Sequence, residues 1–246
     1  MEIMYISEVE LYQFRNYDQI HLSLNQKLNI LYGNNAQGKT NILESIYLCA
    51  TGRSHRTAHE KEVISWDKDE AHIRLFLHKQ NRVEKIDFHL SRNGKKSAAL
   101  NGIPIQKLGD LLGIINIIIF SPEDLQLIKN GPRERRRFLD IELCQLDRIY
   151  YYNLQQYYKV LKQRNQLLKS ISFNNGTKDM LDVWDDQLIY FGEKIIEARQ
   201  IFIQKMSKLA FQIHGHITSK KEELIIEYLP SVHKNKFKNR LKAVLS

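Results

Sequence analysis

Gly33-Asn-Asn-Ala-Gln-Gly-Lys-Thr40 is the stretch on which the reading of the fold turns. It fits G-x-x-x-x-G-K-[ST], the Walker A phosphate loop. Its glycines allow a tight backbone path, so that the N–H groups of Gly33, Asn34, Asn35, Ala36, Gln37 and Gly38 converge on phosphate oxygens. Lys39 supplies a point charge for the β- and γ-phosphates, and the Thr40 hydroxyl is placed to coordinate Mg²⁺. The flanks agree with that use. Leu28-Asn-Ile-Leu-Tyr32 is predicted as a buried central strand, and Lys39 to Ala50 as a helix with Ile42, Leu43, Ile46, Tyr47 and Ala50 on one face. An ordinary glycine-containing loop requires neither flank. Strand, loop and helix in this order place the chain in the α/β class.

Outward from this unit, Tyr5–Phe14 and Ile20–Leu24 alternate apolar with polar residues as half-buried strands do. Residues 73–77, 85–90 and 97–100 predict an antiparallel meander, with an Asn-Gly turn in Arg92-Asn-Gly-Lys95. Ile114 to Phe120 is a second buried-strand candidate, ended by Ser121-Pro122. After about residue 122 long helical patterns take over. Pro132 suits a helix start, and Phe138, Ile141, Leu143 and Leu146 form an apolar stripe. Tyr150–Ile171 and Lys178–His214 predict an antiparallel helical pair joined by a loop at 174–177. Leu224–Leu229 returns to a strand pattern, stopped by Pro230.

The 246 residues are 43% hydrophobic and 26% charged, which excludes a mainly disordered chain. The longest apolar run, Gly113–Phe120, is far short of the ~20 residues of a membrane span, and no secretory leader is visible. Two cysteines, Cys49 and Cys144, cannot build a disulfide framework and fit a reducing, cytoplasmic compartment. Thirty-seven basic against 28 acidic side chains leave +9, which favours a polyanionic partner, nucleic acid before membrane.

Other constellations have plainer readings beside the functional ones. His55 with His59, and His214 with His216, lack neighbouring acids or cysteines in a metal-site pattern and read as solvated residues. In Gly131-Pro-Arg-Glu-Arg-Arg-Arg137 a cationic helix start opposes the helix dipole, so the cluster reads as a set of phosphate contacts. The plain alternative is local pairing of Arg137 with Asp140 or Glu134. Residues 129–164 hold nine Lys or Arg against four Asp or Glu. Side chains three apart share a helix face, so Arg133 and Arg136 point together, whereas Arg135 is expected to reach a carboxylate in the first lobe. Tyr150-Tyr-Tyr152 and Tyr157-Tyr158 read as helix packing before base stacking. A GTPase would need Asn-Lys-x-Asp, and Asn235-Lys-Phe-Lys238 lacks the aspartate. A small-molecule P-loop kinase or transferase with no nucleic-acid role is the alternative reading. A transporter nucleotide-binding subunit is disfavoured by the long insert.

Five blocks in order carry a more specific resemblance: Leu11-Tyr-Gln-Phe-Arg-Asn-Tyr17, Gly33 to Ile46, Gly52-Arg-Ser-His-Arg-Thr57, Phe120-Ser-Pro-Glu-Asp-Leu125, and Gly131 to Asp140. Together the chain resembles the RecF family of bacterial DNA repair proteins, in the SMC-like branch of ABC-type ATPases. The resemblance implies a P-loop ATPase head with mixed β-sheets plus an inserted long-helix lobe. The implied bounds are 1–125 for the first part of the head, 126–219 for the helical lobe and 220–246 for an incomplete return to the head. It implies ATP and Mg²⁺ as cofactors and an ATP-dependent homodimer. The implied partners are DNA (single-stranded or gapped, also duplex) and the proteins RecO and RecR. The implied function lies in recombinational repair and replication restart, through recombinase loading. Arg15 falls in a block whose arginine approaches the nucleotide, and Arg53 and Arg56 in one near the nucleotide or DNA face. The family's Leu-Ser-x-Gly-Gln signature and its Walker B strand have no match here. The chain is therefore expected to be a fragment or C-terminally truncated product with no identifiable catalytic acid, turning over little ATP by itself.

Overall fold

Alternation of buried and solvated side chains along Met4–Phe14 makes this segment, β1, the spine of the first half, with Val9, Leu11 and Phe14 turned into the core. The computed structural model describes residues 4–57, 59–79, 82–172 and 181–243. The chain divides into two compact units, Met1–Asp124 and Leu125–Ser246.

In the first unit β1 pairs with β2 (Tyr17–Ser23), β3 (Glu70–Lys79) follows on its other side, and β4 (Arg82–Ser91), β5 (Lys96–Leu100) and β6 (Ile103–Ile105) continue the sheet. The order is β2-β1-β3-β4-β5-β6, and every pairing is antiparallel. Ala71, Ile73, Leu75 and Leu77 of β3 and Ile86, Phe88 and Leu90 of β4 line the same buried face. The other face is polar. Across it His21, Glu10, Arg74 and Asp87 lie opposite one another in register. Arg74 joins Glu10 (3.2 Å) and Asp87 (2.6 Å). The Asn93-Gly94 turn forms as expected, with Gly94 at φ +84°. A second Asn-Gly pair, Asn101-Gly102, makes a tighter, two-residue turn into β6, a three-residue strand too short to show as a periodic pattern.

Helix α1 (Lys39–Thr51) covers the apolar face of the sheet. Its burial is wider than one stripe: Glu44, Ser45, Leu48 and Cys49 are enclosed along with Ile42, Ile46, Tyr47 and Ala50, whereas Leu43 is exposed. The cause is a second wall. Val63, Ile64, Leu111 and Ile115 close the core together with the sheet, so a one-face pattern underestimates what the helix buries.

Three expected strands do not form. Residues 28–32 are irregular, with Leu28, Ile30 and Tyr32 exposed. Asn29 is held instead in a local turn, accepting from the Asn25 N–H (2.6 Å) and donating to the Asn25 carbonyl (2.8 Å). Residues 114–120 bury Ile115 but leave Ile118 and Phe120 exposed. Residues 224–229 are irregular, with Ile225 and Leu229 exposed. A strand requires a neighbour for its N–H and C=O groups; none of these segments joins the six-stranded sheet, and Ile115 makes only an isolated bridge to Leu112. Among the described residues the strands form one antiparallel sheet, and with α1 packed on it the α/β class is as expected.

The second unit holds α2 (Gln126–Lys129), α3 (Pro132–Leu146), α4 (Arg148–Ser172), α5 (Leu181–Ile217) and α6 (Phe237–Ala243). Pro132 takes the first helical position of α3. Helices α4 and α5 run antiparallel, since Tyr150 meets Arg199 (3.0 Å) while Arg164 meets Asp185 (2.5 Å). The loop expected at 174–177 lies outside the described residues. Leu139 and Leu143 of α3 are buried, but Leu146 is exposed. The described residues 220–243 fall within the second unit. Phe237 packs edge-on against Gly192 of α5, where any Cβ would collide with the ring, and Lys234 pairs with Glu197 (2.9 Å). None of the described helices is long and apolar enough to cross a membrane.

Candidate phosphate-binding site

The loop of residues 33–38 runs into the N-terminus of α1 through three left-handed residues, Gly33 (φ +141°), Ala36 (φ +63°) and Gly38 (φ +94°). Gly38 is the N-cap of α1, and no side chain caps that helix end. The first N–H groups of α1 are thus free of a side-chain acceptor and carry the positive end of the helix dipole, the arrangement an anion fits. Lys39 Nζ donates to the carbonyls of Gly33 (2.8 Å) and Asn34 (2.6 Å), so the ammonium folds back across the loop. Thr40 is exposed, one residue into the helix. Asn34, Asn35, Ala36 and Gln37 are exposed as well. A left-handed loop, an uncapped helix start and an ammonium over the loop fit a polyphosphate, and the Thr40 hydroxyl is free to join a hydrated cation beside it.

A second group of residues, largely unforeseen, braces this loop. Asn16 and Tyr17, at the turn from β1 to β2, press against Gly38: a Cβ there would lie 2.5 Å from Tyr17 Oη and 2.7 Å from Asn16 Oδ1. Tyr17 Oη donates to the Gln37 carbonyl (3.2 Å), and burial raises its pKa. Asn41 Nδ2 donates to Asn16 Oδ1 (2.8 Å).

Behind the loop, Glu44 is fully buried. It accepts from Arg15 Nε (2.9 Å) and Nη2 (2.6 Å), from Ser54 Oγ (2.5 Å) and, more weakly, from Arg56 Nη1 (3.4 Å). Burial alone would raise its pKa. The hydrogen bonds from Arg15 and Ser54 and the charges of Arg15 and Arg56 outweigh it and hold the carboxyl below its ordinary value. Arg15, Glu44, Ser54 and Arg56 thus come together from four separate positions in the chain. Arg15 turns to Glu44 and to the Glu62 carbonyl (2.8 Å). Arg56 also donates to Asn41 Oδ1 (2.8 Å) and remains partly exposed. Arg53 is exposed, with no side-chain partner among the described residues. The sequence signal for the hub was a lone carboxylate, Glu44, among the apolar positions of α1.

In the second unit Arg133 and Arg136 are exposed and make no ion pair among the described residues. Arg137 lies 3.8 Å from Glu134. Arg135 donates to the carbonyls of Leu127 (3.2 Å) and Asn130 (3.0 Å). Asp140 is taken by Arg199 (2.6 Å) and Tyr150 (2.5 Å). One group of described residues, Glu8, Glu10 and His21, brings three ligand atoms within 4.8 Å of one another. It sits half-exposed on the polar sheet face, where Arg74 already pairs with Glu10 and His21 with Glu8.

A family model described as an AAA domain matches residues 8–243. The chain is 49% identical over 239 residues to the DNA replication and repair protein RecF of Lachnoclostridium phytofermentans, covering 97% of this chain and 66% of that protein. It is 49% identical over 229 residues to the protein of the same name from Clostridium acetobutylicum, covering 93% and 62%. The chain therefore spans somewhat less than two thirds of the length of these relatives. Two solved structures of the recombination mediator protein RecF of the RecFOR pathway superpose closely. The ATP complex gives a TM-score of 0.90 at 33% identity, covering 98% of this chain and 67% of that one. The RecF-ATPrS structure gives 0.88 at 34%, covering 99% and 67%.

Proposed function

Because this chain belongs to the AAA-domain family and, within it, to the RecF family of DNA replication and repair proteins, we propose that it binds ATP on the loop Gly33–Thr40 and DNA on its basic surfaces. The observation that carries the reading is the left-handed loop emptying into an uncapped helix N-terminus with Lys39 folded across it. On this reading the backbone N–H groups from Gly33 to Gly38 receive the β- and γ-phosphate oxygens. Lys39 leaves the Gly33 and Asn34 carbonyls for the phosphates, and Thr40 turns its hydroxyl to Mg²⁺. Bound Mg²⁺–ATP supplies the charge that brings two heads together, so ATP acts chiefly as a switch.

Residues 1–125 serve as head and 126–219 as an inserted helical lobe. Arg53, Arg133 and Arg136, which make no ion pair among the described residues, and the exposed edge of Arg56 contact DNA phosphates. RecO and RecR are the protein partners on this reading, recombinase loading at gapped DNA is the outcome, and the cytoplasm is the site of action. The kinase or transferase alternative has no observation in its favour, since relatives matching 97% of the chain are named as repair proteins.

Calorimetric titration of Mg²⁺–ATP into the chain and its Lys39→Ala variant tests the reading. The lysine's charge-assisted bonds, worth ~1.5–3 kcal/mol, correspond to a loss of at least ~10-fold in affinity. Equal affinities would sink it.

A further inference from the structure

Each of the three nitrogens of the Arg15 guanidinium donates a hydrogen bond. Nε and Nη2 clasp Glu44, and Nη1 donates to the Glu62 carbonyl (2.8 Å). Its backbone N–H is fixed as well, on the Val63 carbonyl (2.8 Å), and its φ is +55°, a conformation that a non-glycine residue keeps only when its surroundings impose it. Two residues further on, Tyr17 touches the phosphate loop at Gln37 and Gly38. On the other limb of the hub Arg56 holds Asn41, the residue directly after Thr40, and Asn41 holds Asn16. Glu44 thus anchors the contacts on both sides of Lys39-Thr40.

Stability alone does not explain a carboxylate at this position. Replacing a buried ion pair with apolar groups of similar volume is often neutral or stabilising, and Glu44 stands in a stretch of α1 whose buried residues include Ile42, Ile46 and Leu48. A charged hub makes sense if the geometry it imposes is what counts.

We propose that Glu44 is a positioning residue for nucleotide binding: by clamping Arg15 it holds the Arg15–Tyr17 turn against Gln37 and Gly38 and sets the shape of the phosphate loop. Arg15 is then a brace and not a phosphate contact. The proposal rests on Gly33–Thr40 being the nucleotide site.

A double-mutant cycle on Mg²⁺–ATP affinity tests it, with Arg15→Ala, Glu44→Gln and the pair measured by calorimetry and each variant's melting temperature recorded. The expected result is a loss of roughly tenfold for each single variant and no further loss for the pair, because both remove one clamp. If Arg15→Ala costs the same factor in both backgrounds, Arg15 acts on the nucleotide independently of Glu44 and the proposal falls. It also falls if Glu44→Gln lowers the melting temperature while the folded protein binds ATP as tightly as the parent. Tyr17→Phe keeps the ring against Gly38 and removes only the bond to Gln37. It leaves folding intact and is expected to weaken ATP binding roughly threefold, the worth of one neutral hydrogen bond; no change would overturn the proposed route. Loss of ATP sensitivity to Lys39→Ala would instead remove the nucleotide reading itself, a separable outcome.

Discussion

The hydroxyl of Tyr17 lies 2.5 Å from the point a Cβ on Gly38 would occupy, so the turn between β1 and β2 and the cap of α1 fit together only around glycine. Gly38 also has φ +94°, which strains any L side chain. Gly38→Ala is expected to displace Tyr17 or the loop, costing ~1–3 kcal/mol of stability and lowering ATP affinity more than tenfold. Thermal melting and calorimetry on the same preparation check both effects.

The exposed pair Arg133 and Arg136 is expected to act on DNA through charge alone. Replacing both with alanine should weaken binding similarly for all sequences, because bonds to phosphate carry no base information. The slope of log affinity against log salt should flatten by about 0.7–0.9 for each phosphate that is no longer neutralised. Melting should stay near that of the parent, since exposed arginines add little stability. Fluorescence anisotropy across a salt series reads the slope. A lower melting temperature with an unchanged slope would assign the pair to bracing.

Acid should unfold the first unit partly through Glu44. Its carboxyl is held below the ordinary value in the folded state by Arg15, Ser54 and Arg56 against the opposing effect of burial. A depressed folded pKa contributes stability that is complete above the ordinary carboxylate range and is lost as pH falls through the folded value. Melting temperature followed from about pH 6 to about pH 3 should therefore drop more steeply for the parent than for Glu44→Gln, which has no proton to take up.

In the helical unit the Asp140–Arg199 pair, capped by the Tyr150 hydroxyl, joins α3, α4 and α5. Arg199→Ala leaves Asp140 largely buried without its cation, and an expected loss of ~3–5 kcal/mol follows. Tyr150→Phe, which keeps the ring and removes the hydroxyl's two hydrogen bonds, to Asp140 and from Arg199, should cost less, ~1–3 kcal/mol. Urea unfolding of the three proteins gives the order.

What could be read directly from the chain was what neighbouring residues determine among themselves. The Gly33–Thr40 loop, the start of α1 at Lys39, the alternation in β1, the Asn93-Gly94 turn and the Pro132 helix start all depend on residues a few positions apart, and all are present as expected. The apolar character of residues 28–32, 114–120 and 224–229 was equally plain, but apolar character does not specify a pairing partner. Whether such a run becomes a strand depends on a distant segment that satisfies its backbone, and here Asn25 and Asn29 close a local turn instead.

The residues behind the candidate site belong to the same second class. Sequence alone placed Lys39 and Thr40 on the loop and assigned the two units their contrasting character, because loop geometry and helical periodicity are short-range properties. Only the tertiary structure decided that Arg15 faces Glu44, that Ser54 and Arg56 join them, and that Tyr17 rests on Gly38. Glu44 and Arg15 are 29 positions apart, and a buried carboxylate takes whichever donors the fold brings within 3 Å, so its partners follow from the packing of α1 on the sheet and not from spacing along the chain.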